Sequence, residues 1–103
     1  MGDNTGSLGN TSHNIFIGSS RDNNKGIGYI SNTTGQYNVF VGTDVGVENQ
    51  DGDYNVFLGY QAGKNNTSGQ GNIYMGHNAG LNANNITASD NIAIGSLTSQ
   101  GNQ

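Results

Sequence analysis

The sequence predicts an all-β protein folded as a β-solenoid of about five coils. A short pattern, NΦxΦG with Φ aliphatic, occurs five times along the chain. Its copies begin at Asn14, Asn38, Asn55, Asn72 and Asn91, so the spacings are 24, 17, 17 and 19 residues. A repeat of roughly 17 residues is typical of architectures in which each unit buries its apolar side only by stacking on its neighbours.

Composition supports a turn-rich β-structure over disorder. Leu, Ile, Val and Phe supply only 20 of the 103 residues, but a disordered chain of that kind normally has a high net charge, and here the net charge is −4. Gly and Asn, with 18 residues each, suit tight turns. Because this apolar content is thin for the core of a small domain, we expect burial to be shared between chains.

Each copy of the pattern is predicted to be a β-strand with two apolar faces. With the Asn as position 1, positions 2 and 4 are aliphatic in all five copies, and such alternation is typical of strands. Position 3, on the opposite face, is aromatic in four copies, which predicts a core aromatic column. This column consists of Phe16, Phe40, Phe57 and Tyr74, with Ala93 in the fifth copy. Strands that are apolar on both faces are normally packed against other parts of the protein, or against another chain, on both sides.

Small residues mark two corners in each repeat. Position 5 is always glycine, which indicates a positive φ or a close backbone approach. These glycines are Gly18, Gly42, Gly59, Gly76 and Gly95. Positions 8 and 9 are also small, as in Ala62-Gly63 and Ala79-Gly80. The polar segments that follow, such as VENQDGDY and KNNTSGQG, are expected to form outward loops on one edge of the stack.

Parallel stacking is favoured over a meander of hairpins. Asn-Gly, the strongest hairpin signal, is absent, and the single Asp-Gly lies between repeats at Asp51-Gly52. Stacked repeats align identical residues, so we expect the Asn amides to hydrogen-bond along their column and the aromatic rings to stack. No helix is expected, since no segment has a sustained 3.6-residue apolar period.

The chain is predicted to be a single repeat domain spanning residues 1–103, with an irregular first part, 1–37, and regular coils over 38–103. The stretch from Arg21 to Tyr37 breaks the rhythm and is either a degenerate coil or an insertion.

Two segments resemble known fibrous repeats. SDNIAIGSLTSQGN, from Ser89 to Asn102, resembles the head repeats of trimeric autotransporter adhesins of the YadA type, whereas NVFLGYQAG and NVFVGTDVG resemble repeats in bacteriophage tail fibres and related bacterial surface proteins. The resemblance implies a homotrimer of intertwined or packed chains, with one strand face in the chain's own coil and the other in a shared core. Autotransporter head repeats are shorter and rarely carry Phe at position 3, so a different cross-section or winding is expected.

Chemistry-bearing motifs are sparse, and we expect no enzyme activity, metal or cofactor. Neither GxSxG nor a Ser/His/Asp grouping occurs, and His13 and His77 fall in different columns. The acidic loop containing Glu48, Asp51 and Asp53 is interpreted as a solvated turn, with a Ca²⁺ site as the alternative. Three basic residues are too few for nucleic-acid binding, and no apolar run is long enough for membrane insertion.

The predicted function is structural: a segment of the shaft or head of an extracellular, cell-surface or virion fibre. One alternative is a filament subunit that polymerises end to end through uncapped coils. Another is an adhesin head that binds a cell-surface glycan through its variable loops, where Tyr29, Tyr37, Tyr54 and Tyr60 could stack on sugars. The partners expected are therefore further copies of the chain and a glycan.

Overall fold

The computed structural model describes residues 13–19, 34–81 and 87–98. These ranges contain no helix and five strands, which form one open sheet in the order of the chain. The strands are β1 Ile15–Ser19, β2 Val39–Thr43, β3 Val56–Leu58, β4 Ile73–Met75 and β5 Ile92–Ile94. The all-β prediction is confirmed. Most of the stretch predicted as a degenerate coil or insertion lies outside the described residues.

Every neighbouring pair of strands is parallel and in register. Val39 of β2 pairs with Val56 of β3, and Val56 pairs with Ile73 of β4. Equal positions of successive repeats therefore lie beside one another, as the sequence predicts for stacked coils. Parallel neighbours require a crossover between strands, so this sheet excludes a meander of hairpins and is compatible with a β-solenoid.

Hydrogen bonds between repeats continue beyond the strands into the turns and return segments. Gln61 N donates to Thr43 O at 2.9 Å, and Gln50 N donates to Thr67 O at 2.8 Å. The prediction that the segments after the second corner form outward loops is wrong for VENQDGDY and KNNTSGQG. Both segments pair with each other through the backbone, and each carries a fully buried asparagine, Asn49 and Asn66.

The core contains the column of aromatic residues at position 3. Phe40 and Phe57 stack with ring centroids 4.8 Å apart, and Phe57 and Tyr74 stack at 5.1 Å. Phe16 stacks on Phe40 at the other end of the column. The rings pack with the small residues of the second corner, Val45, Ala62 and Ala79, which are also buried. Burial of this kind is the main favourable contribution to folding.

Glycine is needed at positions 9 and 5 of the repeat for two different steric reasons. Gly63 has φ +59°, and a Cβ placed on it would lie 2.5 Å from the ring of Phe57, so the aromatic column needs a bare backbone there. Gly59 has φ +124°, and a Cβ on it would lie 2.7 Å from the carbonyl oxygen of Gly76 in the next repeat. The missing side chain of Gly63 leaves room for the Phe57 ring, and the missing side chain of Gly59 allows the next repeat to approach to the normal distance between strands.

The other face of the sheet is apolar and only partly covered. Positions 2 and 4 point away from the core in every strand, as the burial pattern of the strands shows. We call these ten side chains the outward aliphatic face: Ile15, Ile17, Val39, Val41, Val56, Leu58, Ile73, Met75, Ile92 and Ile94. Ile92 is 72% exposed and Ile94 65% exposed.

Replacing the central ring of the core should strongly destabilise the fold. We expect Phe57→Ala to lower the free energy of unfolding by about 3–5 kcal/mol, because it leaves a cavity between two stacked rings. The measurement is urea unfolding followed by circular dichroism. Tyr54→Ala in the same repeat removes an exposed ring and should change stability by less than about 1 kcal/mol. Equal effects of the two substitutions would contradict the packing described here.

Candidate functional site

The asparagines at position 1 form a continuous ladder of hydrogen bonds across the repeats. In each case Oδ1 of one asparagine accepts from the backbone N–H of the next. The distances are 2.9 Å from Asn38 N to Asn14 Oδ1, 2.9 Å from Asn55 N to Asn38 Oδ1, 2.9 Å from Asn72 N to Asn55 Oδ1 and 3.0 Å from Asn91 N to Asn72 Oδ1. We call these five residues the asparagine ladder. All four hydrogen bonds run in the same direction, because each side-chain oxygen accepts from the backbone N–H of the following repeat.

The amide nitrogens of the ladder tie the strands to the return segments. Nδ2 of Asn38 donates to Gly52 O at 2.8 Å, and Nδ2 of Asn55 donates to Gly69 O at 2.9 Å. Both asparagines have no exposed surface. The expected amide-to-amide contact occurs in this ladder only between Asn91 and Asn72, within the described residues. In the other rungs the side-chain oxygen accepts, among the described residues, a hydrogen bond only from the backbone N–H of the next ladder asparagine, because a buried N–H needs an acceptor.

A second buried asparagine column was missed by the sequence analysis. Asn66 Nδ2 donates to Asn49 Oδ1 at 2.9 Å, and the two Nδ2 groups also donate to the carbonyl oxygens of Gly52 and Gly69. Both asparagines lie three residues before those glycines and 17 residues apart. That shared spacing, inside segments that otherwise vary, was the available signal.

The residue before each ladder asparagine turns a corner with positive φ. The angles are 60° at His13, Tyr37 and Tyr54, 68° at Gly71 and 61° at Asp90. Bulky residues rarely adopt this conformation, at a penalty of about 1–3 kcal/mol each. Stacking of aromatic pairs contributes about 0.5–1.5 kcal/mol, so the aromatic residues at this corner bring little or no net stability.

These corner aromatics form a stack on the surface. The His13 and Tyr37 ring centroids lie 4.8 Å apart, and those of Tyr37 and Tyr54 lie 5.1 Å apart. Tyr37 is 44% exposed and Tyr54 60% exposed. A separate pair, Tyr60 and His77, stacks at 5.5 Å. Of the four tyrosines considered for sugar stacking, Tyr29 lies outside the described residues.

The described residues offer no grouping suited to metal chemistry. No three His, Cys, Asp or Glu side chains in ranges 13–19, 34–81 and 87–98 are placed to hold a metal ion. Asp53 of the acidic loop accepts a hydrogen bond from Gln36 N at 2.7 Å, which is a structural use of the carboxylate. The described part of the chain also contains no helix long and apolar enough to cross a membrane.

Tyr74 places a hydroxyl in the core where other repeats have phenylalanine. The side chain has no exposed surface, and no described residue completes a hydrogen bond of normal geometry with the hydroxyl. Burial raises the pKa of the Tyr74 phenol above its usual 10.0, and the Asn91 side chain lowers it in part. The phenol is therefore held neutral in an apolar column at a cost to stability.

Comparisons of the chain with protein-family models, with curated proteins and with solved structures find no match.

Truncating a central rung of the asparagine ladder should destabilise the fold more than truncating its end. Asn55→Ala leaves the N–H of Asn72 without its acceptor and removes one of the two hydrogen bonds to the carbonyl of Gly69. A buried orphan group costs about 1–3 kcal/mol. Asn91→Ala is the matched control, because Asn91 is less buried and bonds chiefly to Asn72 and Ser89. Urea unfolding of both variants should show the larger loss for Asn55→Ala, and the reverse order would count against the ladder.

Removing the hydroxyl of Tyr74 should stabilise the protein. Tyr74→Phe is expected to raise the free energy of unfolding by about 1 kcal/mol at neutral pH, since it deletes an unpaired buried polar group. The folded pKa lies above the unfolded value of about 10, so the unfolded chain loses its proton first and wild-type stability falls as pH rises through that range. Urea unfolding at neutral and alkaline pH should show that the advantage of the variant grows with pH. A less stable variant would indicate a hydrogen bond to the hydroxyl.

Proposed function

We propose that the chain is a β-solenoid segment with a structural function, the shaft or head of an extracellular or virion fibre, and that it assembles as a homotrimer. The observation that supports this most is the outward aliphatic face. Parallel sheets are covered on both faces in folded proteins, and here one face remains partly exposed. Contiguous apolar surface of this kind marks an interaction site.

The size of the outward aliphatic face suits association of identical chains. It is two residues wide and runs the full height of the sheet, about 20 Å for five layers at strand spacing. Three of the ten side chains are more than half exposed and the other seven less so. Full burial of an aliphatic side chain contributes about 1.5–3 kcal/mol, so completing the burial of the face supplies on the order of 5–10 kcal/mol per chain. This is comparable with the estimated entropic cost of association, about 4–15 kcal/mol.

A threefold arrangement is proposed because of the resemblance to trimeric fibre repeats and the shape of the face. A narrow stripe along the stacking direction allows three sheets to converge on one axis, where each would contact both neighbours. The two apolar faces of every strand would then have separate roles. Position 3 fills the interior of the chain, and positions 2 and 4 fill the space between chains.

The oligomeric state tests this proposal directly. Sedimentation equilibrium should give three times the chain mass for the unmodified protein, whereas Ile94→Glu should dissociate it, because a buried carboxylate on the axis is strongly unfavourable. Ile94 is mostly exposed in the single chain, so the substitution should leave the fold intact by circular dichroism. Gln50→Glu adds the same charge at another exposed position and should remain trimeric. A stable folded monomer of the unmodified protein would overturn the trimer.

A filament subunit is the second candidate, favoured by the polarity of the asparagine ladder. Each Oδ1 accepts from the repeat that follows, so a second copy stacked beyond β5 could present its own Asn14 N–H to Asn91 Oδ1. Strand β1 of that copy would pair in parallel with β5, as successive repeats pair within the chain. Among the described residues, β1 and β5 each pair with a strand on one side only, and such edges favour additions.

Electron microscopy separates the two candidates. A filament subunit should form unbranched fibres whose length grows with protein concentration, with an axial strand repeat of about 4.8 Å in diffraction. Discrete particles of constant size at high concentration would remove the filament candidate and leave the closed trimer.

A further inference from the structure

The aromatic stack on the surface is interrupted at Gly71. The residues before the ladder asparagines form one column in which His13, Tyr37 and Tyr54 stack, and the next member, Gly71, has no side chain. Among the described residues, Tyr37 has a ring on each side, whereas Tyr54 has a ring on one side only. Tyr54 is accordingly more exposed, 60% against 44%. No ring of the described residues covers the second face of Tyr54, which is turned toward the layer of Gly71.

The carboxylate of Asp90 closes the inner end of this opening. A Cβ placed on Gly71 would lie 2.6 Å from Oδ1 of Asp90, so the Asp90 side chain reaches back into the layer of Gly71. No hydrogen bond to this carboxylate is found among the described residues. We call the space bounded by the Tyr54 ring, Gly71 and the Asp90 carboxylate the notch. Rings in this column stack about 5 Å apart, as Tyr37 and Tyr54 do, so the layer of Gly71 has the height of one ring.

Folding alone does not account for the aromatic residues of this column. The corner requires positive φ, and the chain itself uses Gly71 and Asp90 at the same corner in other repeats. Glycine adopts this conformation without strain, and tyrosine does not. Large exposed aromatic residues kept in a strained conformation are typical of binding surfaces.

We propose that the notch binds a saccharide ring. The electron-rich face of Tyr54 would contact the C–H groups on the apolar face of the sugar, and the Asp90 carboxylate would accept hydrogen bonds from hydroxyl groups at its edge. Gln70, which precedes Gly71, is exposed and adds an amide that can donate and accept. A quaternary ammonium group fits less well, because its sites surround the cation with several aromatic faces, and here a single face is open. This inference does not depend on the trimer.

Saturation-transfer NMR with the full chain tests the notch. The probes are methyl glycosides of glucose, galactose and N-acetylglucosamine, each added separately, with choline as the cationic comparison. At least one sugar should receive saturation through its ring C–H groups. Tyr54→Ala should weaken its binding about tenfold or more, and Asp90→Asn should weaken it less, since the amide retains one acceptor.

Gly71→Tyr is the sharpest variant, because it should fill the notch and extend the stack by one ring. The backbone should tolerate this substitution, since tyrosine occupies the same corner at φ 60° in the two preceding repeats. The new Cβ requires the exposed Asp90 carboxylate to move away from its position 2.6 Å from that atom. Binding should be lost while circular dichroism stays unchanged. Tyr60→Ala, in a different surface column, is the matched control and should bind as the unmodified chain does.

Three outcomes would overturn the inference. They are no transfer to any of the three sugars, transfer to choline in their place, and sugar binding that persists in both Tyr54→Ala and Gly71→Tyr. Sedimentation of the same samples keeps this result separate from the proposed assembly. A monomer that binds sugar would refute the proposed trimer and support the proposed saccharide site. A trimer that binds no sugar would support the trimer and refute the saccharide site.

Discussion

The stack depends on a hydrogen-bond acceptor for the backbone N–H at the start of each strand, which is buried in the central repeats. That N–H lies just before the strand pairing begins, and the Oδ1 atom of the preceding repeat's asparagine accepts its hydrogen bond. The amide nitrogen of the same side chain donates to the return segment. One asparagine therefore joins two successive repeats and also joins the strand of its own repeat to the return segment that follows. A buried polar network of this kind specifies register, because a slip of one residue would orphan every group in it.

Given that register, the alternation of side chains along each strand divides the apolar residues between two tasks. The aromatic side chains at position 3 stack on one another inside the chain, and the glycines at position 9 lie against those rings. Positions 2 and 4 are left on the opposite face, which the described residues cover only in part. The low apolar content of the sequence is thus divided between a narrow interior column and a partly exposed apolar face.

The corners connect this scaffold to its surface chemistry. A positive φ before each ladder asparagine is required in every repeat, yet the residue there varies from tyrosine to glycine to aspartate. The backbone repeats while the side chains of this column do not. A repeat fold can therefore vary its surface side chains from one repeat to the next, as between Tyr54 and Asp90, without disturbing the hydrogen bonds that hold the stack together.

The sequence by itself determined the strands, their parallel in-register order and the inward aromatic column, because the period of the pattern and the alternation at Phe40 and Phe57 are local properties. Only the tertiary structure decided what the polar groups do. The second asparagine column, at Asn49 and Asn66, and the reach of Asp90 toward Gly71 join residues 17 and 19 positions apart. Whether such groups point inward or outward depends on how the return segments close over the core, and short-range patterning carries no record of that closure.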